Sequence, residues 1–293
     1  MIVLHGLRTD SPLDDVRRVL ADRGTPYVFV DQAACADVAV ERTGDELVLV
    51  VAGREVRVVD VRGIYLRPYD LGDAVDPAER ARLTRLAVHL REWAECAPAS
   101  VRVVNRPSAG LSNHSKPRQS RVIAAAGFAV PETLLTTDPA AAAAFVAHHG
   151  RAIVKSVSGT RSIVRTLGPG DDLSAVRWCP TQLQRFVPGA EHRVHAVGQW
   201  LFASRVRTEA VDYRYGGFGL EPADLPDAVA ERCRALTAAL GLELAGIDLR
   251  FGEDGRWYCW EVNTSPAYSC FDTADRAIAT ALAEHLAGDP TLG

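Results

Sequence analysis

The chain has 293 residues, 47% apolar and 24% charged, with 33 basic residues against 37 acidic ones and a formal net charge of −4. That balance excludes a disordered tail protein and a strongly basic nucleic-acid coat. At roughly 100 to 200 residues per domain, the length implies two domains, or one with a substantial appendage.

The first hundred residues read as an alternating α/β unit. MIVLHGL forms a strand. Ser11 is placed to cap a helix with Pro12 in its first turn, Leu13, Val16 and Leu20 on one face and Gly24 as the stop. PYVFVD is the next strand; ELVLVV and REVRVVDV flank Ala52-Gly53 as a hairpin, and GIYLRPYD leads into a long helix from Pro77 to Cys96. The polar segment SAGLSNHSKPRQS then marks a boundary, and the texture turns to mixed α+β. Helices are expected from Lys116 to Ala126 and from Asp138-Pro139 to Gly150, two strands in RAIVKSVSGTRSIVR, and three strand-like runs in TQLQRFVPG, EHRVHAVG and QWLFASRVR. A helix over LPDAVAERCRALTAALG, a hairpin and a last helix from Asp272 to Ala287 complete the chain.

MIVLHGLRTD lacks the basic start and long apolar stretch of a secretory signal, and no run of about 18 apolar residues marks a membrane span. A cytoplasmic protein with neither membrane nor nucleic-acid partner is expected. The six cysteines, at 35, 96, 179, 233, 259 and 270, form no CxxC pair, so free thiols are expected rather than disulfides or a thiolate zinc site. Only two basic residues are lysines, Lys116 and Lys155, against 31 arginines. In an arginine-biased chain a surviving lysine is a candidate for a narrow phosphate site, which a compact ammonium fits and a broad guanidinium fork overfills; chance survival is the alternative.

The terminal hairpin carries the most chemistry. LELAGIDLRFGE and RWYCWEVN meet at Asp254-Gly255, a dipeptide favoured in two-residue type I′ turns. That register sets Glu253 opposite Arg256 and therefore Asp248 opposite Glu261, with Asn263 on the same face and Gly246 leaving space above it. Opposed carboxylates repel unless a cation lies between them, and an oxygen set of Asp248, Glu261 and Asn263 suits magnesium. A wider loop would shift the register and leave ordinary surface acids.

IVKSVSG, QLQRFVPG, EHRVHAVG, VDYR, AGIDLR and WEVNTSP occur in an order and spacing that resemble ATP-grasp ligases, RimK-type enzymes in particular, over about residues 105 to 290. The resemblance implies an α/β plus α+β architecture: an N-terminal preATP-grasp domain (1–104), a central subdomain (105–181) and a C-terminal subdomain (182–293) clamping ATP between two antiparallel sheets. It implies that Lys116 and Lys155 contact ATP phosphates and that the loop with Ser158 and Gly159 closes over them. By the same resemblance, Gln184, Arg185, Phe186 and Val187 are expected to form the adenine hinge and Glu191 to hold the ribose. Asp248, Glu261 and Asn263 are expected to take magnesium, or manganese in its place, and Arg193, Arg205 or Arg207, and Arg214 to lie near the γ-phosphate and the reacting carboxylate.

The reaction so implied phosphorylates a carboxylate with ATP and then displaces phosphate with an amine, giving an amide and releasing ADP. A small-molecule or peptide substrate is implied, and a homo-oligomer is common among such enzymes. The alternative is a maturase that forms side-chain ester or amide crosslinks on a ribosomal precursor peptide, a group that IYLRP and VDYR resemble. Such enzymes usually continue after EVN with Pro and a Gly-Gln-Trp string, where this chain reads EVNTSPAYSCFD. Tyr65, Arg67, Ser265, Tyr268 and Cys270 are the candidates for substrate contact, with plain packing of a strand end and loop as the alternative.

Overall fold

The structure is a computed structural model that describes residues 1–33, 38–43, 46–69, 76–157, 164–208, 219–272 and 275–288. The N-terminal part is built on a parallel sheet of β1 (Ile2–Gly6), β2 (Tyr27–Asp31), β6 (Gly63–Arg67) and β7 (Arg102–Val104), in the order β2-β1-β6-β7. A small antiparallel sheet of β3 (Val38–Thr43), β4 (Glu46–Val51) and β5 (Arg54–Arg57) is inserted between β2 and β6. Parallel strands are buried on both faces, and β1 is accordingly buried at every position. Helix α1 (Ser11–Asp22) covers one face, and α2 (Pro77–Glu95), capped by the Asp76 side chain, covers the other.

The first helix begins where expected but is not capped by Ser11. Asp10 occupies the cap position, and its carboxylate is turned away from the helix toward Arg67 and Tyr69. The last helix, α7, runs Ala277–Ala287 rather than from Asp272; Asp272 instead accepts hydrogen bonds from the Ile278 and Ala279 N–H groups at its start. Ile278, Leu282 and Leu286 of α7 join Ile2, Leu4 and Leu13 in one core, so the C-terminal end of the chain returns to the N-terminal sheet.

Two antiparallel sheets follow. The central one, in the order β10-β9-β11-β8, comprises β8 (Thr133–Thr136), β9 (Ala152–Ser156), β10 (Arg165–Leu167) and β11 (Thr181–Arg185). One face packs on α5 (Pro139–His149) through Val146, Ala152, Leu183 and Leu167. Strand β11 runs past the boundary placed at residue 181. The C-terminal sheet has the order β14-β13-β12-β15-β16, with β12 (Gly189–Val197), β13 (Trp200–Arg207), β14 (Gly219–Pro222), β15 (Leu244–Gly252) and β16 (Trp257–Asn263). Its outer face (Val194, Ile247, Leu249, Val262) packs on α6 (Asp227–Leu240) and on Ile123 of a further helix; between α2 and α6 lie that helix, α4 (Lys116–Ala125), and the one-turn α3 (Pro107–Gly110). No helix among the described residues is long and apolar enough to cross a membrane.

The N-terminal sheet is tied to the C-terminal one by a buried polar knot. Arg67 donates from Nε to Asp10 at 2.5 Å and from Nη1 to Ser265 Oγ and the Pro266 carbonyl, each at 3.0 Å. Asn105 reaches across with both ends of its amide, donating to the Leu244 and Thr264 carbonyls and accepting from the Glu243 and Leu244 N–H groups. A buried ion pair gains little over an apolar replacement but is costly to break from one side. Asp10→Ala should therefore lower stability by about 3–5 kcal/mol, read from urea unfolding; a change no larger than that of a surface Asp→Ala would show that Arg67 needs no counter-charge.

His5 on β1 is buried and donates Nδ1–H to the Val30 carbonyl at 3.0 Å, and burial lowers its pKa from the ordinary 6.5. The unfolded chain binds a proton there that the folded chain refuses, so stability is full above pH 6.5 and is lost as pH falls below it. His5→Gln should flatten that acid-side decline, by at most about 1.4 kcal/mol per pH unit; an unaltered slope in urea titrations would remove His5 from it.

Candidate active site

The hairpin geometry comes out as expected at its chemical end and differently at its turn. Gly246 pairs with Asn263, Ile247 with Val262 and Asp248 with Glu261, while Leu249 pairs with Cys259, Arg250 with Tyr258 and Phe251 with Trp257. The turn is a three-residue loop, Glu253 to Gly255, with Gly255 at φ +76° and the Gly252 N–H bonded to the Arg256 carbonyl at 2.9 Å. It is not the two-residue type I′ turn. The one-residue offset is cancelled by a β-bulge that leaves Trp260 without a direct partner, and the two deviations compensate before the carboxylates are reached.

The bulge also shapes the site, because Trp260 and Glu261 both face Lys155. The Lys155 ammonium lies 5.2 Å from the Trp260 ring centroid, and Glu261 is the largest charge holding it in its protonated form. Lys155 reaches this place because β9 alternates: Ala152 and Val154 pack toward α5, and Ile153 and Lys155 project the other way. The side chain is 9% exposed, and burial pulls its pKa down, opposed by Glu261 and then Asp248 and reinforced by Lys116. Lys116, the first residue of α4, is itself buried and donates to the Ser156 carbonyl at 3.2 Å. The two lysines of the chain and the two opposed carboxylates therefore converge on one cleft between the central and C-terminal sheets.

Arg193 stands directly across β12/β15 from Asp248 and donates to its Oδ1 at 2.5 Å. The space above Gly246 is taken by this guanidinium, so it is not the open ground expected there: a Cβ at Gly246 would run into Arg193 and into the Pro266 side chain. Arg205 and Arg207 do not join the cluster. Strand alternation turns Ser204 and Val206 to the Arg193 face and both arginines to the opposite one, where they are exposed and Arg207 pairs with Glu221. Arg214, Ser158 and Gly159 lie outside the described residues.

At the other end of the cleft, Gln184 is buried with its amide donating to Thr133 Oγ1 at 3.2 Å, while its Oε1 has no partner among the described residues. Arg185 donates to the Tyr258 hydroxyl at 3.1 Å, and Phe186 lies under the Arg151 guanidinium at 3.8 Å. Arg250 ties β15 to the segment that connects the two sheets and to β12 beside it: it donates to the Val187 carbonyl at 2.9 Å and pairs with Glu191 at 3.1 Å.

Tyr65, Arg67 and Ser265 line a cavity of about 330 Å³ between the N-terminal sheet, the segment after β7 and the loop after β16. Tyr268 does not: it is fully buried and donates its hydroxyl to the Pro12 carbonyl at 2.6 Å, which makes it an anchor of the loop that carries Ser265. Cys270 is exposed.

Among the described residues no group of three or more His, Cys, Asp or Glu forms. The oxygen set is two carboxylates and an amide oxygen that also accepts from the Ser265 N–H at 3.0 Å. Hard oxygen ligands in this small number fit magnesium, which keeps positions for water and phosphate oxygens, and do not fit a closed transition-metal site.

Several contributors are not apparent from motifs. Gln119, one helical turn from Lys116, accepts from the Val262 N–H at 2.9 Å and donates to its carbonyl at 2.8 Å, acting as a strand partner between Glu261 and Asn263. The i, i+3 spacing from Lys116 was its signal, as the i, i+2 spacing from Arg193 and Asp248 was for His195 and Arg250.

No protein-family model matches the sequence, and a search of curated proteins finds no match. Solved structures do match. The ATP-grasp ligase PsnB complexed with its minimal precursor is 26% identical, with a TM-score of 0.81 over 98% of each chain. A RiPP-associated ATP-grasp ligase from Chryseobacterium gregarium, solved with ADP and a leader and core peptide, is 18% identical with a TM-score of 0.81 over 98% of this chain and 96% of its own. D-alanyl-alanine synthetase A from Vibrio cholerae O1 biovar eltor is 13% identical with a TM-score of 0.64, over 98% and 97%. The paired antiparallel sheets and these likenesses place the chain in the ATP-grasp superfamily, as an ATP-dependent ligase.

Replacing Gln119 with Leu should orphan both Val262 backbone groups at about 1–3 kcal/mol each, measured by urea unfolding. A loss below 1 kcal/mol would mean that β16 needs no support from α4.

Proposed function

We propose that the chain activates a carboxylate with ATP and joins it to an amine on a peptide, releasing ADP and phosphate. The observation that carries this reading is the convergence of Lys116, Lys155 and the opposed pair Asp248 and Glu261 in the cleft between two antiparallel sheets. PsnB, similar in fold along its whole length, has been solved with Mg and ADP. Residues 1–104 serve as the preATP-grasp domain; the central subdomain runs from 105 through β11, which ends at Arg185 rather than at the expected boundary of 181, and the C-terminal subdomain of the clamp follows it.

Each residue then has a physical task. Lys116 and Lys155 hold phosphate oxygens, and Ser158 and Gly159 are assigned to the same phosphates by their motif alone. Gln184, Arg185, Phe186 and Val187 border the nucleoside, where the unpartnered Gln184 Oε1 suits the donor amino group of adenine, and Glu191 holds the ribose. Asp248, Glu261 and Asn263 hold the magnesium or manganese ion, which when bound supplies Lewis-acid neutralisation of phosphoryl charge. Arg193 presents a fixed cation where negative charge develops. Arg205 and Arg207 are left out, because they project from the far face of the sheet, and Arg214 stays a candidate by its motif.

The row order along β15 and β16 gives the cleft a direction. From the Glu191–Arg250 end it passes the Asp248–Glu261 pair, then Gly246–Asn263, and then the loop at Thr264 and Ser265 that opens on the cavity. The carboxylate and amine substrates would enter through that cavity, beside Tyr65, Arg67 and Ser265. Its described walls hold Arg91, Arg106 and His114 but no Asp or Glu, which suits an anionic group.

A second reading, crosslinking of side chains within a precursor peptide, is favoured by the similarity to PsnB, a ligase solved with its minimal precursor. Mass spectrometry separates the two: an internal crosslink removes one water from the peptide, whereas ligation to a second molecule adds mass.

Glu261→Gln should abolish magnesium-dependent ADP formation while circular dichroism stays native; retained turnover would take Glu261 out of the metal set. Lys155→Arg conserves charge but should still lower kcat and ATP affinity, because a planar fork does not replace a point cation there. Near-normal ATP affinity in that variant would contradict the phosphate role of Lys155.

A further inference from the structure

Arg193 is held more tightly than an ion pair with Asp248 requires. We infer that His195 is a positioning residue for Arg193: its Nε2 lone pair takes the Arg193 Nε–H while the absent Cβ of Gly246 makes room for the guanidinium on Asp248. The inference rests on the reading that Arg193 neutralises phosphoryl charge, and it goes beyond that reading by assigning the residues that aim it.

Arg193 and His195 are two apart on β12, so their side chains share a face, and their direct partners on β15 are Asp248 and Gly246. Arg193 Nε lies 3.4 Å from His195 Nε2, and Nη1 lies 2.5 Å from Asp248 Oδ1. A guanidinium has donors only, so Nε2 must carry the lone pair and the ring proton sits on Nδ1. The neutral form is the one its surroundings favour, since burial and then the Arg193 charge push the His195 pKa well down.

The ring itself cannot swing away. It is fully buried, 4.9 Å from the Phe271 centroid and 6.5 Å from that of Tyr268, whose hydroxyl is fastened to α1 through the Pro12 carbonyl. Nδ1 has no hydrogen-bond partner among the described residues, a cost of about 1–3 kcal/mol that an apolar side chain of similar volume would avoid. Gly246 is the independent observation: the residue directly opposite His195 on β15 lacks a side chain, and any side chain there would displace the guanidinium.

The experiment compares His195→Gln, His195→Asn and His195→Leu. The Gln carbonyl reaches the place of Nε2, whereas the shorter Asn reaches only that of Nδ1. Two quantities are read: kcat and KM for ATP in ADP release, and the Arg193 Nε–H resonance in ¹⁵N-arginine-labelled protein free of nucleotide and metal. His195→Gln should keep near-wild-type kcat and a dispersed Nε–H signal. His195→Asn and His195→Leu should lose the dispersed signal and lower kcat roughly 10- to 100-fold, with ATP affinity little changed.

Gly246→Ala, which leaves the histidine intact, should shift the same resonance, so the inference stays testable if a His195 variant does not fold. An Nε–H signal unmoved in all four variants, or Gln as damaging as Leu, would overturn it. A signal lost as expected with turnover unchanged would uphold the placement of Arg193 by His195 and contradict the charge-neutralising role on which the proposed function relies.

Discussion

The structure depends on a repulsion. Asp248 and Glu261 are set directly opposite each other on neighbouring strands, an arrangement that costs free energy unless positive charge is brought to it. The fold brings three cations from three different elements: Arg193 from β12, Lys155 from β9 and Lys116 from the start of α4. No local segment could supply them all. The cluster exists only when the central sheet, the C-terminal sheet and α4 are packed together, so the chemistry and the tertiary structure are the same constraint.

The supporting shell follows from that demand. Gln119 fastens β16 between Glu261 and Asn263, and Arg250 holds the segment connecting the two sheets through Val187 while pairing with Glu191 on β12. The Arg67 and Asn105 knots hold the loop after Asn263 against the N-terminal sheet. Burying so many polar groups is expensive unless each is satisfied, and their mutual hydrogen bonds offset that cost while leaving little freedom to move. A site that must match a transition state gains from such rigidity.

The scarcity of lysine singled out Lys116 and Lys155, whereas Asp248 and Glu261 come out opposed because two departures from the expected hairpin, one at the turn and one at Trp260, cancel each other. The turn itself was misread, because Asp-Gly also serves in a three-residue loop, and a bulge at Trp260 is invisible to a pattern that counts residues in twos. The placement of Arg205 and Arg207 failed for a different reason: a motif keeps residues together in sequence, whereas alternation divides them between faces. Tyr65, Arg67 and Ser265 are drawn to one cavity by contacts spanning most of the chain, which no local signal encodes. Asp10, one residue before the expected cap Ser11, carries no local sign of its ion pair with Arg67, 57 residues away.

The most direct measurement is anomalous diffraction from crystals grown with ADP and Mn²⁺. The account predicts a manganese peak bonded to carboxylate oxygens of both Asp248 and Glu261, with Lys155 and Lys116 directed at the nucleotide phosphates. A peak bound elsewhere, or phosphates seated away from both lysines with the two carboxylates bridged only by Arg193, would contradict it.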